Sequence, residues 1–447
     1  MQQSEQFFSN KQLKQMIIPL FIEQFLLMLV GLVDTFVVSY AGEAAVSGVS
    51  LVNSFNTIFL NLFTALSSGG AVIVSHYIGS RQTKHASESI SQLLMISTIF
   101  SVVITVVILP LNGTLISLLF GKVDADVRNA CITYLKISAY SYPALAVYNT
   151  GAALYRSIGK TNTTMIISMI SNLINVIGNI IGVFVLHAGV AGVAYPSLIA
   201  RSVSAVWITI LCFHSHDGVR YAVQWIFAWN RELLHKILRI AVPNGVESGI
   251  FQFVKVALSS VIALFGTYQI AANGIAQSLW SVAALMSVTM GPVFITVIGQ
   301  CMGANDTQQA KFYFRKLTRL TVVLSIAWNL LIFALTPLIL QGYAISEQTR
   351  HLVIWLVLIH NIANAVVFPF ADPLGKGLRA TGDVRFTMGI SLFTTIGVRL
   401  VLSVLLGIWC NLGVIGIAFA MCLDWLVRAI IFWIRYRKGT WQKFQVI

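Results

Sequence analysis

Two carboxylates, Glu23 and Asp34, lie inside the first long apolar segment of the chain, where each could exchange a proton or hold a small cation. In a helix their spacing is close to three full turns, so the two side chains share one face about 16 Å apart along the axis. A carboxylate is costly to bury in a membrane, and both are therefore candidates for ion binding. We expect Asp34, inside the run GLVDTFVVSYAG, to bind the ion; a structural carboxylate satisfied by neighbouring hydroxyls or amides is the alternative.

Amide side chains in the fifth apolar segment could complete such a site. In the run MIISMISNLINVIGNIIGVF, Asn172, Asn175 and Asn179 recur at spacings of three and four, so a helix places them on one face. They could offer oxygens to a cation or simply join helices. One carboxylate with several neutral oxygens suits a proton or Na⁺ better than a divalent metal. The predicted site for H⁺ or Na⁺ comprises Asp34, Asn175, Asn179 and Ser197 of the sixth segment.

Two prolines interrupt long apolar segments at matching places. Pro19 and Pro243 each remove a backbone hydrogen bond, which bends a helix. A static bend is one interpretation, and a hinge at Pro19 that responds to ion binding is the other. Glu23 and Glu247 each follow one of these prolines by four residues. This recurrence favours a shared architectural role as much as ion binding for Glu23.

The second half carries further charges within apolar segments. We regard Glu247, Lys255 and Asp372 as candidate site residues there. Lys255 requires a partner, which Glu247 or Asp372 could provide, and we favour such structural pairing over contact with a substrate. Asp424 and Arg428 are four residues apart, so an ion pair on one helix face explains both.

A repeat along the chain shows how these residues are positioned. An offset of 224 superposes Pro19 on Pro243 and Glu23 on Glu247, and it also superposes four glycines of the first half on glycines of the second, namely Gly42 on Gly266, Gly79 on Gly303, Gly189 on Gly413 and Gly192 on Gly416. Duplicated bundles of membrane helices typically form two lobes around a transport path. We therefore predict an amino-terminal lobe over residues 1–222 and a carboxy-terminal lobe, with its linker, over residues 223–447.

The composition is that of a membrane protein: 57% of residues are hydrophobic, 10% are charged, and the mean hydropathy is +0.82. Stretches of about 20 apolar residues, long enough to cross a bilayer as helices, recur along the chain. They lie at about 14–39, 53–77, 91–110, 130–154, 163–187, 190–212, 239–265, 273–302, 319–340, 351–375, 386–408 and 412–435. These patterns predict an all-α polytopic fold with twelve transmembrane helices in two pseudo-symmetric six-helix lobes.

The net charge of +14 reflects topology rather than nucleic-acid binding. Lys and Arg cluster at the amino end, at the carboxy end and in every second loop, and the intervening loops hold only Lys122, Arg128 and Arg350. This asymmetry places both termini in the cytoplasm, with the basic residues near anionic lipid. The polar linker at about 213–238, with its aromatics, predicts an interfacial helix.

Several other function classes lack their sequence signatures. No Walker loop suggests ATP as the direct energy source, and no HExxH or paired-aspartate set suggests an intramembrane enzyme. A channel would need a continuous polar stripe, which the segments lack. The five cysteines are scattered and without a CxxC pair, so they indicate neither a metal nor a redox site. No cofactor is expected.

At this level of detail the chain resembles a family, the MATE multidrug and toxic-compound extrusion transporters. The resemblance rests on VDT in the first segment, on LYRSIGKTN and GLRATGD, on the closing LDWLVRAIIFWIRYRKGTW and on the paired lobes. It implies a twelve-helix antiporter that exports organic compounds in exchange for H⁺ or Na⁺. It also implies that Asp34 is the amino-lobe carboxylate, with Asn175, Asn179 and Ser197 as its partners. Pro19 matches the proline at which the first helix bends in some members.

The chain departs from the family pattern in both lobes. Many relatives carry Asp where this chain has Asn179, which leaves a single titrating group and weakens the expectation of Na⁺ binding. Some relatives also carry acids in helices 7 and 10. The helix 7 position falls at or near Phe251, and Asp372 does not align with the helix 10 acid, so those roles are not transferred to Glu247 or Asp372.

The function expected from the sequence is secondary active multidrug efflux by alternating access. The substrates would be small organic, drug-like, cationic or amphipathic compounds, and the coupling ion H⁺ or Na⁺. A lipid-linked saccharide flippase, or an exporter of one specific metabolite on the same scaffold, is the alternative. We expect a monomer in the bacterial plasma (inner) membrane, surrounded by lipid and with no nucleic-acid partner.

Overall fold

The computed structural model describes residues 7–120, 124–214, 217–343 and 345–447; the loop residue Lys122 lies outside these ranges. The described chain is almost entirely helical. Its α-helices, numbered α1 to α18, are Asn10–Ser39, Glu43–Gly79, Thr83–Phe120, Ala125–Tyr140, Tyr142–Ser157, Thr161–Ile180, Ala191–Phe213, Val223–Ile226, Arg231–Ile262, Thr267–Ala283, Leu285–Gly303, Thr307–Gln341, Glu347–Val366, Phe368–Ala371, Pro373–Ala380, Val384–Phe393, Val401–Val404 and Gly413–Arg437. Turns of π-helix cover Ile181–Val185, Thr394–Leu400 and Leu405–Trp409.

The predicted twelve-segment architecture is confirmed. Eleven helical spans in the described chain are long and apolar enough to cross a membrane. The twelfth segment, predicted at 130–154, consists of α4 and α5, two helices of 16 residues each that are interrupted at Ser141. Each is too short to span a bilayer alone, because a spanning helix needs about 20 residues.

The sequence repeat is also a repeat of backbone conformation. The π-helical turn Ile181–Val185 recurs at Leu405–Trp409, displaced by the same 224 residues. Pairs of residues with positive φ follow the same offset: Gly42 and Gly266, Arg81 and Asn305, His187 and Asn411, Gly189 and Gly413. Left-handed backbone is rare outside glycine, so its recurrence at matching non-glycine positions shows that the halves share their local folds.

Two compact units divide the chain. One contains Asn10–Gly245, and the other contains Val246–Ile447 with the described residues before Asn10. The boundary between them falls inside α9, whereas the division at residue 222 remains a prediction from the repeat. Each unit has its own buried apolar clusters, around Phe63 and Tyr142 in the first and around Leu356 and Trp425 in the second.

The surface and the interior follow membrane rules. Large apolar side chains such as Phe36, Leu118 and Phe253 are exposed along the helices, where lipid replaces water. Many Ser, Thr and Asn side chains are buried instead, and most hydroxyls donate to carbonyls of their own helix. Close helix contacts rely on glycine: a Cβ added at Gly192 would lie 2.6 Å from the carbonyl oxygen of Gly182.

The linker between the halves differs from the predicted interfacial helix. Only the four residues of α8 are helical, followed by an irregular segment in which Phe227 and Trp229 are exposed. Gln92 of α3 donates to the carbonyl oxygens of Trp225 and Ala228, so side-chain hydrogen bonds hold this segment against α3. These bonds take the place of the backbone bonds that a longer helix would have made.

Candidate cation site

Asp34 of α1 lies against α6, and its carboxylate accepts hydrogen bonds from two asparagines. Asn175 Nδ2 donates to Oδ1 at 2.9 Å and to Oδ2 at 3.1 Å, and Asn179 Nδ2 donates to Oδ1 at 2.6 Å. Both asparagines are buried, while Asp34 is partly exposed. Charge-assisted hydrogen bonds of this kind stabilise an ionised carboxylate away from bulk water.

Ser197 of α7 extends the network. Its Oγ donates to Asn175 Oδ1 at 2.8 Å, which fixes the amide that faces Asp34. The structure therefore brings together the four residues predicted to form the site, and their role in ion binding stays a prediction. Asn179 Oδ1 is buried without a hydrogen-bond partner in the described structure, as is Asn172 Nδ2. An unpaired acceptor beside a carboxylate is a potential ligand for a cation or for a proton on Asp34.

Arg201 is a residue of this region whose place the sequence did not reveal. It lies one turn after Ser197 on α7, and its guanidinium donates to Ser141 Oγ at 2.7 Å. Ser141 is the residue at which α4 gives way to α5, so Arg201 ties α7 to that interruption. Its charge also acts electrostatically on Asp34 without forming an ion pair with it.

Asp34 has no cationic partner at close range. Among the described residues, no Lys, Arg or His nitrogen lies within 4.0 Å of its carboxylate. This distinguishes Asp34 from the other candidate carboxylates of the membrane helices, each of which forms an ion pair.

Glu23, the second carboxylate of α1, belongs to a different cluster. Its Oε1 lies 2.8 Å from the guanidinium of Arg156, and its Oε2 accepts a hydrogen bond from Thr164 Oγ1 at 3.0 Å. Tyr148 completes the cluster at 3.4 Å. The side chain of Glu23 is only 2% exposed, so this is a buried ion pair that joins α1, α5 and α6. The structure does not bring Glu23 to the Asp34 site.

In the second unit the predicted pairing of Lys255 is wrong. Glu247 lies 2.6 Å from Arg379, and Asp372 lies 2.8 Å from Lys376, so both expected partners of Lys255 are already paired. The error has a physical reason: side chains one turn apart or on adjoining helices were available to both carboxylates. Lys255 itself is exposed, and no carboxylate of the described chain pairs with it.

The predicted ion pair of Asp424 with Arg428 is confirmed at 2.9 Å. Asp424 is completely buried and has a second cationic partner, Arg399, also at 2.9 Å. Sequence spacing could not have found Arg399, because it comes from the π-helical turn Thr394–Leu400 rather than from α18. One carboxylate therefore serves two guanidinium groups.

Pro19 lies inside α1 and is buried. A proline leaves the carbonyl four residues earlier without its helical donor. That carbonyl belongs to Gln15, and it accepts a hydrogen bond from Thr161 Oγ1 at 3.1 Å. The first residue of α6 therefore compensates for the bond that Pro19 removes, and whether α1 bends there as a hinge stays a prediction. Pro19 also borders a cavity of about 770 Å³ that is lined by Lys11, Lys14 and Lys160.

The described residues contain no group of three or more His, Cys, Asp or Glu side chains that could hold a metal ion. The residues that could bind an ion are thus Asp34 and its neutral neighbours. That donor set fits H⁺ or Na⁺, as the sequence suggested, rather than a divalent metal.

Two repeated halves of membrane helices, with a carboxylate held by amides inside the first helix, define a polytopic membrane transporter. The MatE family model matches residues 19–181 and 243–405, two segments that are themselves displaced by 224 residues. The chain belongs to this family. Because MATE family members are transporters, it is a transporter and not an enzyme.

Relatives and solved structures agree over nearly the whole chain. An uncharacterized transporter, YisQ, of Bacillus subtilis is 26% identical over 95% of this chain and 93% of its own length. The probable multidrug resistance protein NorM of Thermotoga maritima is 23% identical over 98% and 94%. A crystal structure of a MATE protein in complex with MaL6 has a TM-score of 0.90 at 20% identity, with 97% of both chains covered.

Proposed function

We propose that this protein is an antiporter that exports organic, cationic or amphipathic compounds in exchange for H⁺ or Na⁺. Support comes from its family and from relatives whose names describe multidrug resistance or multidrug and toxin extrusion. The protein would act in the bacterial plasma membrane as a monomer, with both termini in the cytoplasm, as the distribution of basic residues suggests. No cofactor other than the coupling ion is part of the proposal.

One observation carries the assignment of the coupling residue. Within the described membrane helices, Glu23, Glu247, Asp372 and Asp424 each lie within 3 Å of a cationic side chain, whereas Asp34 is held only by neutral donors. A carboxylate locked to a guanidinium cannot easily exchange its partner, because breaking a buried ion pair leaves an uncompensated charge. Asp34 is free of that constraint and can gain or lose a proton or a small cation.

The hydrogen bonds suggest how ion binding changes the site. Ionised Asp34 accepts three short contacts from the amides of Asn175 and Asn179. A proton on Asp34 turns one acceptor into a donor, and the amide facing it must then rotate to present oxygen. The unpaired Oδ1 of Asn179 is available for that role. Protonation would thereby rearrange the contacts between α1 and α6.

The same change weakens the attraction for a cationic substrate. A positive charge in a low-dielectric site gains several kcal/mol from a nearby carboxylate, of the order given by Coulomb's law at an effective dielectric constant of about 20. Binding of H⁺ or Na⁺ at Asp34 removes that attraction. Alternating access with one carboxylate shared between ion and substrate therefore couples uptake of the ion to release of the compound.

The coupling ion is tested by energising transport separately with each gradient. Inverted membrane vesicles are loaded with a cationic dye and driven either by a pH gradient at constant Na⁺ or by a Na⁺ gradient at constant pH. We expect dye movement under one gradient and not in vesicles that lack the protein. The amides present N–H groups to Asp34, which favours H⁺; Na⁺ would require both amides to turn over. Movement that is independent of both gradients would contradict antiport.

A further inference from the structure

A cavity of about 340 Å³ lies within the second unit, bordered by α9, α10, α18 and the π-helical turn Thr394–Leu400. Its only charged lining residues in the described structure are Lys255 and Arg399. No carboxylate lines it. A cationic lining inside a membrane-embedded unit is costly unless it has a use, and intramembrane charges commonly mark substrate or ion pathways.

Lys255 is placed to face this cavity. On α9 it shares one helix face with Phe251, Leu258 and Ser259, all of which line the cavity. Phe253 and Val256, on the other side of the helix, are strongly exposed apolar residues. The ammonium group has no ion-pair partner within the described residues, since Glu247 and Asp372 are paired elsewhere.

Arg399 adds a second positive charge that is only partly neutralised. It is 7% exposed and shares the single carboxylate of Asp424 with Arg428. These three side chains together carry a net charge of +1. The guanidinium carbon of Arg399 also lies 5.1 Å from the ring centre of Phe251, which keeps it beside the cavity. With Lys255, the formal charge around the cavity is +2.

Neutral donors and an aromatic surface complete the lining. The amides of Asn273 and Gln277 border the cavity, and the buried Nε1 of Trp280 has no acceptor in the described structure. Trp280 stacks on Trp425 with ring centres 5.7 Å apart, which gives the cavity a rigid apolar wall. Positive charge and N–H donors next to an aromatic wall match an amphipathic molecule that carries an oxyanion.

The internal repeat shows that this cavity is the counterpart of the Asp34 site with its charge reversed. Shifting by 224 residues places Asp34 on Leu258 and Asn175 on Arg399. Both of these second-half residues line the cavity. The first half therefore has a carboxylate and amides at the place where the second half has a leucine and a guanidinium.

We propose that the Lys255–Arg399 cavity binds the oxyanion of an amphipathic organic molecule, a carboxylate, sulfonate or phosphate, with the apolar part lying against Trp280. This inference rests on the proposed function and narrows its substrate class to include zwitterionic and anionic amphiphiles. A compound with both a cationic and an anionic group could use both halves of the repeat, one charge at each.

A matched pair of dyes tests the oxyanion directly. Rhodamine 110 carries a free carboxylate, and rhodamine 123 is its methyl ester; both keep the same aromatic body. Binding to the purified full-length protein in phosphatidylcholine nanodiscs is measured by fluorescence anisotropy. We expect the acid to bind about tenfold more tightly than the ester, the ratio worth one charged hydrogen bond. Equal affinity of the two dyes for the unmodified protein would overturn the proposal.

Variants assign the preference to the cavity. Lys255→Gln should abolish the preference for the acid, whereas Lys255→Arg should keep it. Lys236→Gln is the matched control, because Lys236 lies on the same helix but pairs with Glu232 at 3.0 Å and does not line the cavity. A preference that survives Lys255→Gln would overturn the proposal, and so would one that is lost equally in Lys236→Gln.

Two further arms identify the source of the oxyanion and separate this proposal from the antiport mechanism. If phosphatidylglycerol in the nanodisc displaces rhodamine 110 in a Lys255-dependent manner, the oxyanion is a lipid headgroup; without displacement, it belongs to the transported molecule. Asp34→Asn should keep the acid preference while losing coupled efflux. Coupled efflux of rhodamine 123 without any acid preference would remove the oxyanion site and leave the antiporter intact.

Discussion

The guanidinium of Arg156 lies 2.8 Å from the buried carboxylate of Glu23, and the same relationship recurs between Arg379 and Glu247 at 2.6 Å. In each half the acid follows a proline by four residues. The recurrence makes this ion pair part of the architecture of the repeat. It also separates the two carboxylates of α1, since Glu23 is locked to a base and Asp34 is not.

Neutralising the acid of each repeated ion pair should lower stability without changing the coupling. Glu23→Gln leaves the charge of Arg156 uncompensated, and removing one partner of a buried pair typically costs about 3–5 kcal/mol. Glu247→Gln should cost less, because the side chain of Glu247 is 17% exposed compared with 2% for Glu23. Thermal unfolding in detergent provides the comparison. An unchanged unfolding temperature together with lost gradient dependence would instead make Glu23 a coupling residue.

Replacing Asn179 tests the amide contacts of Asp34. Asn179→Ala removes the 2.6 Å hydrogen bond to the carboxylate, a contact to a charged group worth about 1.5–3 kcal/mol, and should slow coupled efflux about tenfold or more. Asn179→Asp adds a second carboxylate and should make efflux respond to Na⁺. The checks are dye efflux rates in matched pH and Na⁺ gradients. If Asn179→Ala transports at the normal rate, the amide does not shape the ion site.

Pro19 is expected to give α1 a flexible point. Pro19→Ala restores an N–H donor to the carbonyl of Gln15, so we predict a straighter helix, a higher unfolding temperature and slower efflux. Pro243→Ala is the matched control in the second half, where no coupling carboxylate follows. Efflux initial rates and thermal unfolding are measured on both variants. A stabilised Pro19→Ala protein that transports at the normal rate would show a static bend rather than a hinge.

The cluster around Asp424 should be sensitive to loss of its only acid. Asp424→Asn leaves Arg399 and Arg428 buried without a counter-ion, and we predict a loss of about 3–5 kcal/mol or failure to accumulate in the membrane. Asp372→Asn is the comparison, because its pair with Lys376 is 28% exposed on both sides and should contribute about 0–1 kcal/mol. Equal stability of the two variants, measured by thermal unfolding in detergent, would contradict this account.

Much of the architecture follows from the sequence because its causes are local or periodic. Apolar length predicts the membrane segments, and the fixed offset predicts that the halves share their turns, as the matching π-helical turns at Ile181–Val185 and Leu405–Trp409 show. Helix periodicity places Asn175 and Asn179 on one face. Asp34 was the carboxylate in the first segment that no repeated partner explained. The pair of Asp424 with Arg428 followed from spacing alone.

Contacts between distant segments did not follow from the sequence, because they depend on helix rotation and register that hydropathy leaves open. Arg156 is the partner of Glu23 across 133 residues, and nothing in the local pattern selects it over other basic residues. Arg399 reaches Asp424 from a π-helical turn that spacing does not predict. Lys255 was assigned a partner because buried charges usually have one, and the structure instead leaves it facing a cavity.

The most direct test of the central claim is gradient-driven efflux by Asp34→Asn in vesicles, compared with Asp372→Asn as the matched acid-to-amide control. The account predicts that Asp34→Asn folds, reaches the membrane and unfolds at a normal temperature, yet no longer exports dye in response to either the pH or the Na⁺ gradient, while Asp372→Asn does. Export by Asp34→Asn at the normal rate and with the normal gradient dependence would contradict it.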